Sequence, residues 1–386
     1  MSFLRFLHSL RFRISAVYDL FRSQQSFKTC CHGFCKTSGT LPIKPILKVL
    51  VTGASGYIGS HTAIDLLQHG HEVIGLDNYV NSSPRVFDRI EKISGKPCLS
   101  YQADLRDKDS LGRIFDAHPR LDAIMHFAAL KSVDESVVHP DLYYENNVSG
   151  LINLIHFQKK HRVPRLIFSS SCTVYGNADQ LPVTESTPWK QAESPYGLTK
   201  QLGEMILQDF TRHAGSMSCV SLRYFNPAGA HPGGHLGEAA TKEVRNLIPL
   251  IMETGAGKRP FLSIYGNDYP TRDGTNVRDF IHIMDLARAH TLAMDYLGNL
   301  PAGTYEVFNL GTGRGVTILE AIEAFNRVRG EKLPVKWAGR RPGDVVAIYA
   351  DYQKAKNLLG WQPAYTMEDI MAHAWAWEKN KSELIS

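Results

Sequence analysis

The 386-residue chain has six cysteines, and they form no pattern that a metal centre or a disulfide framework would use. Cys30, Cys31 and Cys35 crowd near the start, Cys98, Cys172 and Cys219 are scattered, and no paired Cys-x-x-Cys units stand at zinc spacing. Such thiols read as small apolar side chains of a reducing compartment, so neither a bound metal nor a disulfide is expected. Low-complexity tracts are missing too, as is any uninterrupted apolar run of the roughly 20 residues that a bilayer span needs. Charge of one sign is lacking over most of the length. Of 43 Lys/Arg and 38 Asp/Glu residues, seven and one respectively lie in residues 1–45, which leaves 36 basic against 37 acidic ones. A body so near neutrality offers no footing for nucleic acid, and nothing points to a membrane partner.

Residues 1–45 differ in kind from the rest. Arg5, Arg11, Arg13 and Arg22 interleave with Phe3, Leu4, Phe6, Leu7, Leu10, Phe12 and Ile14, and Asp19 is the single acid. A basic, Ser-containing, acid-poor leader matches an organelle transit peptide, or else a structureless extension or a start placed too far upstream. A secretory signal is not expected, because no unbroken apolar core follows the basic start. The expected location is cytoplasmic, with organelle import through the leader as the alternative.

From Ile46 short β-branched runs alternate with amphipathic stretches. Strands are expected at Lys48–Val51, Glu72–Leu76, Leu99–Gln102, Ala123–Phe127, Leu166–Ser169, Cys219–Leu222 and Val307–Leu310. Helices are expected at Ile58–His69, about Tyr143–His161, Tyr196–Arg212 and Met284–Leu297. This alternation predicts βαβ units, hence an α/β fold with a doubly wound parallel (Rossmann) sheet. Between Asn226 and Asp279 the chain becomes rich in Gly, Pro and Asn, as a smaller mixed α/β substrate-binding lobe would. The expected organisation is a leader at 1–45, a dinucleotide-binding domain at 46–225 with returning pieces near 279–311, and a second lobe mainly at 226–386.

The first strand runs into Gly53-Ala54-Ser55-Gly56-Tyr57-Ile58-Gly59, after which a helix begins. Glycines so placed allow a tight turn, let backbone N–H groups approach a pyrophosphate, and let the helix sit close to the sheet. A merely structural turn has the same glycines. Asp77 ends the second strand, roughly 20 residues on, where a carboxylate accepts from both ribose hydroxyls and repels a 2′-phosphate. NAD is therefore the expected cofactor over NADP; a turn or cap role for Asp77 is the plainer reading. Asp104, after the third strand, stands where the adenine edge would come.

Ser171 closes the fifth strand, and Tyr196 and Lys200 follow, four residues apart and so on one helix face. Acting as a base at pH 7 costs a phenol about 4 kcal/mol. One cation at ~4 Å supplies about that much at an effective dielectric near 20. Lys200 is the expected cation and Ser171 the partner that relays or steadies the proton. A chance Tyr-x-x-x-Lys on a solvated helix is the alternative, weakened by the glycines, Asp77 and Ser171 upstream.

With these residues goes a wider likeness. From Lys48 to about Trp377 the chain resembles UDP-glucose 4-epimerases of the extended short-chain dehydrogenase type. The likeness rests on Val51-Thr52-Gly53-x-x-Gly56-Tyr57-Ile58-Gly59, Leu76-Asp77-Asn78, His126-Phe127-Ala128-Ala129-Leu130-Lys131 and Leu222-Arg223-Tyr224-Phe225-Asn226-Pro227. Tyr265-Gly266-Asn267-Asp268-Tyr269-Pro270, Val277-Arg278-Asp279 and Arg340-Arg341-Pro342-Gly343-Asp344 add to it. The resemblance implies that Tyr57, Ile58, Asn78, Asn81, Ser82, Leu105, Phe127, Ala128, Ala129, Lys131, Asn146 and Phe225 join the glycines, Tyr196 and Lys200 around NAD. It implies a UDP-sugar site from Lys131, Ser171, Tyr196, Asn226, Asn246, Leu247, Ser263, Tyr265, Arg278, Arg341 and Asp344. It implies reversible oxidation at the sugar C4 of UDP-glucose and UDP-galactose, cofactor retained, in a homodimer. A 4,6-dehydratase is the nearest rival, but dehydratases resembling this family carry acids just after Ser171, where this chain has Cys172 and Thr173. Other UDP-sugars stay open: Ile348 stands where the family sets room for a 2-N-acetyl group, and a UDP-pentose is conceivable too. A non-catalytic NAD-binding scaffold is the remaining alternative.

Overall fold

The computed structural model describes residues 45–239, 244, 246–341 and 344–385. Apart from Pro45, the expected leader lies outside the described residues, as do Pro342 and Gly343. Aliphatic runs form the strands β1 (Lys48–Thr52), β2 (Glu72–Asp77), β3 (Leu99–Gln102), β4 (Ala123–His126), β5 (Arg165–Ser171) and β6 (Ser218–Tyr224). Between them run α1 (Tyr57–Gln68), α2 (Arg85–Ser94), α3 (Lys108–Ala117), α4 (Val133–Val138), α5 (Pro140–Tyr143), α6 (Gly150–Lys160) and α7 (Pro195–Ala214). The chain continues through β7 (Asn226–Ala228), α8 (Leu247–Gly255), β8 (Leu262–Tyr265), β9 (Val277–Arg278), β10 (Phe280–His282), α9 (Ile283–Gly298) and β11 (Tyr305–Leu310). It ends through β12 (Val316–Thr317), α10 (Ile318–Arg329), β13 (Val335–Ala338), β14 (Ala347–Ile348), α11 (Gln353–Leu359) and α12 (Met367–Ile385).

Seven strands make the central sheet in the order β11-β6-β5-β4-β1-β2-β3, and every pairing in it is parallel. This is the doubly wound arrangement expected from the alternation. Side chains of a strand point alternately to its two faces, so β1 feeds two cores. Val49 and Val51 pack with Ile64 and Leu67 of α1 and with Leu286 and Met294 of α9. Leu50 packs on the opposite face with Leu111 and Phe115 of α3 and Leu154 of α6. With both faces covered, a strand reads as a continuous apolar run, as β1 does. The strand order reverses between β1 and β4, and at such a switch point a crevice opens at the carboxyl ends of the strands.

The helix expected across Tyr143–His161 is not continuous. It breaks into α5, a π-turn at Tyr144–Ser149, and α6. The cause is Asn147, whose side chain is drawn into the strand-end loop: its Oδ1 accepts from Leu130 N at 2.8 Å and its Nδ2 donates to Leu130 O at 3.0 Å. Widened turns of this kind occur where a helix must aim a side chain rather than keep its ladder.

A further core lies beyond the sheet, where Ile251 of α8, Leu262 and Ile264 of β8, Phe325 of α10, and Ile370 and Met371 of α12 pack together. The chain returns to the sheet through α9 and β11, whose Leu286, Met294, Phe308 and Leu310 belong to the first core. Among the described residues no helix is long and apolar enough to cross a membrane.

Helix α7 is set close against β5 by a glycine. A Cβ on Gly203 would come within 2.6 Å of Phe168 Cζ, so a larger residue must push the helix outward. Gly203→Val should cost about 1–3 kcal/mol through overpacking. A thermal melt followed by circular dichroism should show a lowered midpoint; an unchanged one would mean that the helix distance is set elsewhere.

Candidate active site

The glycine turn sits at the head of the crevice. Gly53 adopts φ +70, and a Cβ there would meet Ala128 N at 2.7 Å, so the turn lies directly on the loop after β4. A Cβ on Gly59 would meet Gly53 O at 2.2 Å, so the first turn of α1 is pressed onto the loop that precedes it. Gly56 caps α1 without a side-chain hydrogen bond, and no acid stands in the first turn. The first N–H groups of an α-helix have no intrahelical acceptor, and those of α1, at Tyr57 and Ile58, are left to a phosphate or to water.

Asp77 organises the next part of the crevice. Its Oδ2 accepts from Ser55 N at 3.1 Å, and its Oδ1 from Tyr79 N at 2.9 Å and Ser82 Oγ at 3.0 Å. Ser82 Oγ also meets Ser55 Oγ at 2.7 Å, which ties the loop after β2 to the glycine turn. Asn81 on that loop is exposed. Tyr79 takes φ 61, a left-handed conformation held by its bond to Asp77. Asp104 is engaged rather than free: Arg106 donates to both of its oxygens at 2.9 Å and Asn78 Nδ2 donates at 2.9 Å, which holds the carboxyl well below the usual range. Leu105 is buried beside it, its carbonyl accepting from Asn153 Nδ2 at 3.0 Å.

Phe127, Ala128 and Ala129 line the end of β4, part-buried, and Phe225 is buried just past β6. Asn146 Nδ2 donates to Asn147 Oδ1 at 2.9 Å. Lys131 is already paired: it meets Glu238 at 2.9 Å, and Asn246 Nδ2 reaches the same carboxylate at 3.0 Å. Tyr57 OH donates to Gly229 O at 2.7 Å, so the α1 turn and the chain after β7 touch.

Ser171 lies at the end of β5, Tyr196 and Lys200 lie on α7, and the charge balance differs from the one expected. Ser194 caps α7, its Oγ accepting from Gly197 N at 3.1 Å, which sets Tyr196 in the first turn facing the end of β5. The Ser171 hydroxyl, at the end of β5, favours ionisation of the Tyr196 phenol. Lys200 Nζ, however, donates to Ser169 O at 2.7 Å and lies 5.8 Å from the Tyr196 ring centroid. Burial pushes the phenol up to about 12, against the lowering by Ser171, and pushes the Lys200 ammonium down to about 8. The ammonium alone therefore does not overcome the loss of water around the phenol.

On the second side, Arg278 donates to Val277 O and Val345 O at 2.9 Å and pairs with Asp344 at 3.4 Å. Arg341 stacks 3.8 Å over the Tyr265 ring. Ser263 and Tyr265 of β8 and Leu247 at the start of α8 are part-buried. Asn226 Oδ1 and Thr173 Oγ1 are buried without any hydrogen-bond partner. Orphaned acceptors and hydroxyls of this kind carry a cost of about 1–3 kcal/mol each, which a bound polar ligand relieves. The uncapped helix, the glycine cradle and Asp77 fit a dinucleotide, and the orphaned Asn226 Oδ1 and Thr173 Oγ1 fit a ligand that brings hydroxyl groups to donate and accept.

Residues 50–374 match the family model described as GDP-mannose 4,6 dehydratase. Over 334 residues the chain is 43% identical to the UDP-glucose 4-epimerase of Bacillus subtilis (strain 168), covering 86% of this chain and 97% of that protein. The chain belongs to the UDP-glucose 4-epimerase family. The UDP-glucose 4-epimerase of Bifidobacterium longum, solved in complex with NAD+ and UDP, superposes with a TM-score of 0.83 at 43% identity, covering 87% of this chain and 99% of that one. The enzyme from Stenotrophomonas maltophila, solved with NAD and formylated UDP-arabinopyranose, superposes at 0.84 with 41% identity, covering 87% and 99%. Within the broader dehydratase family, this epimerase-family chain lacks a carboxylate at Cys172 and Thr173.

Several contributors went unseen in the sequence. Glu238, which gathers Lys131 and Asn246, and Asn147, which sets the π-turn, stand in no spacing pattern with their partners. Glu204 alone had a signal, standing one turn after Lys200 on the same helix face. Asp77→Ala removes the acceptor of three hydrogen bonds and with it the loop order of residues 78–82. Calorimetric titration with NAD should show affinity reduced about tenfold or more, and equal affinity would place the ribose contact on another residue.

Proposed function

We propose that this chain interconverts UDP-glucose and UDP-galactose at C4, as in galactose metabolism, with NAD bound in the crevice. The observation that carries this reading is the placing of Tyr196 and Lys200, one turn apart on α7 with the ammonium 5.8 Å from the ring, beside Ser171 at the end of β5 and at the same crevice as the glycine turn. In this reading residues 46–225, with the returning α9 and β11, hold the cofactor, and segments after 226 hold the nucleotide sugar.

Tyr196 takes the proton of the sugar 4-OH, and Ser171 fixes the hydroxyl while the proton moves. After the 4-keto sugar has turned its other face, Tyr196 returns the proton to the same oxygen. NAD, when bound, supplies the acceptor and later donor of the C4 hydride and a positive ring charge beside the phenol. Burial holds the phenol above its ordinary range, Lys200 brings the protein's positive charge to within 5.8 Å of the ring, and a positive ring charge beside the phenol would add to it. Arg278 and Arg341 suit a diphosphate, Asp344 the hydroxyls of a ribose, and Asn226 and Lys131 the remaining polar groups.

Elimination of water across C5 and C6 needs an acid/base pair near C5. Cys172, its thiol pushed up to about 12 by burial, and Thr173 supply none, which favours epimerisation over dehydration. Ile348 is buried among Val174, Tyr175 and Phe225, so the room for a 2-N-acetyl group is decided in that cluster. The working form is a homodimer, and exposed Val137 and Val138 on α4, Ile152 on α6, and Leu198 and Met205 on α7 offer apolar surface for it.

Tyr196→Phe should leave the melting curve intact and lower turnover in a coupled UDP-galactose assay by about a thousandfold or more. Retained activity would remove Tyr196 as the base. The same assay with UDP-GalNAc and UDP-arabinose in place of UDP-galactose decides between sugars, and turnover of none of the three with NAD still bound would favour a scaffold. Light scattering should give twice the chain mass, and Ile152→Asp with Met205→Asp should give single chains; a wild-type monomer would sink the dimer.

A further inference from the structure

Behind Lys200 lies a buried ion pair that the reaction as described does not use. Glu204 and Arg223 have side chains only 2% and 4% exposed. Arg223 Nε donates to Glu204 Oε1 at 2.9 Å and its Nη2 to Oε2 at 2.7 Å. The remaining side of the guanidinium is taken as well: Nη1 donates to Tyr175 OH at 2.8 Å and to Glu185 O at 3.4 Å, and Tyr175 OH donates to Asn309 Oδ1 at 2.6 Å. Glu204 Oε1 also accepts from Ser170 Oγ. A buried pair of this kind is a poor source of net stability, since well-packed apolar side chains do as well. Its placement gives it another use. Glu204 stands one helical turn beyond Lys200 on α7, and its partner Ser170 lies between Ser169, whose carbonyl accepts from Lys200, and Ser171, whose hydroxyl favours ionisation of Tyr196.

We propose that Glu204 is a positioning residue for the proton-transfer pair: its carboxylate keeps the Lys200 ammonium charged, and through Ser170 and Arg223 it holds the strand end that presents Ser169 and Ser171. This rests on the epimerase reading of the same site. The other groups facing Lys200 do not do this work. On α7 it faces Tyr196, on β5 the Phe168 ring at 5.0 Å and the Ser169 carbonyl, and on β4 His126. His126 is pushed down to about 3 by burial and by Lys200, so it stays neutral. Glu204 is the anionic group that opposes the effect of burial on Lys200. Because the ammonium is held below its midpoint and lost above it, loss of the carboxylate moves that loss to lower pH.

The test uses full-length protein with its bound cofactor. Glu204→Gln keeps the shape and removes the charge. Nitrogen-15 NMR of labelled lysines, with the Lys200 signal assigned by its absence in Lys200→Met, should show the midpoint falling by about one pH unit or more from that of the wild type. The alkaline limb of kcat for UDP-galactose should move down equally, with KM within about twofold. Ser170→Ala should lower kcat about tenfold while leaving the Lys200 midpoint in place. If Glu204→Gln does not fold because Arg223 is left unpaired, Glu204→Gln with Arg223→Met should fold and show the same downward midpoint. An unshifted Lys200 midpoint in either folded variant overturns the proposal. The NMR midpoint is read with or without turnover, so a wild type inert toward UDP-galactose would refute the epimerase reading separately.

Discussion

A phenol and an ammonium share one face of α7, and burial works against the charge each must carry. The loss of solvent raises Tyr196 and lowers Lys200, so both drift toward their neutral forms. Much of the surrounding architecture counters that drift. The Ser169 carbonyl fixes the ammonium, the Ser171 hydroxyl steadies the phenol, and the Ser194 cap and Gly203 hold their common helix tight to β5. A site that was wetter would ionise more easily but would discriminate less between the proton on the sugar and the proton in water.

The sheet was legible because its strands are apolar on both faces and its helices are punctuated by glycine and cap residues. β3 falls at Leu99–Gln102 as expected, and β1, β2 and β11 differ only at their ends. The short helices α2 and α3 were not anticipated, although the spacing of Phe87 and Ile90 in α2 and of Leu111, Ile114 and Phe115 in α3 puts each set on one buried face. The break at Tyr144–Ser149 was hidden for a different reason: it is caused by a contact between Asn147 and Leu130, distant in sequence. The positions of Tyr196, Lys200 and Ser171 were legible, their ionisation was not. Spacing along a helix shows which residues share a face, but the direction in which a lysine reaches is decided by the acceptors around it, here Ser169 O.

The two sides of the crevice are joined by few but specific contacts. Tyr57 reaches Gly229 O, and Lys131 after β4 reaches Glu238, which Asn246 also meets. Each of these engages a residue expected at the cofactor or the sugar nucleotide. Polar side chains at the mouth are thus already committed to one another, and a ligand entering there exchanges hydrogen bonds instead of adding them.

The interleaving of the chain has a consequence for how the molecule holds together. Its path runs from the sheet to the core of α8 and β8, back through α9 and β11, out again to α10, and through Trp361, packed in the first core, before α12 closes the second. No single cut separates the core beneath α1 and α9 from the core of α8 and β8 into contiguous pieces. Strand β11 cannot dock until the segment before it has been made, so the sheet edge is completed late in synthesis, and partial products leave β6 with an open flank.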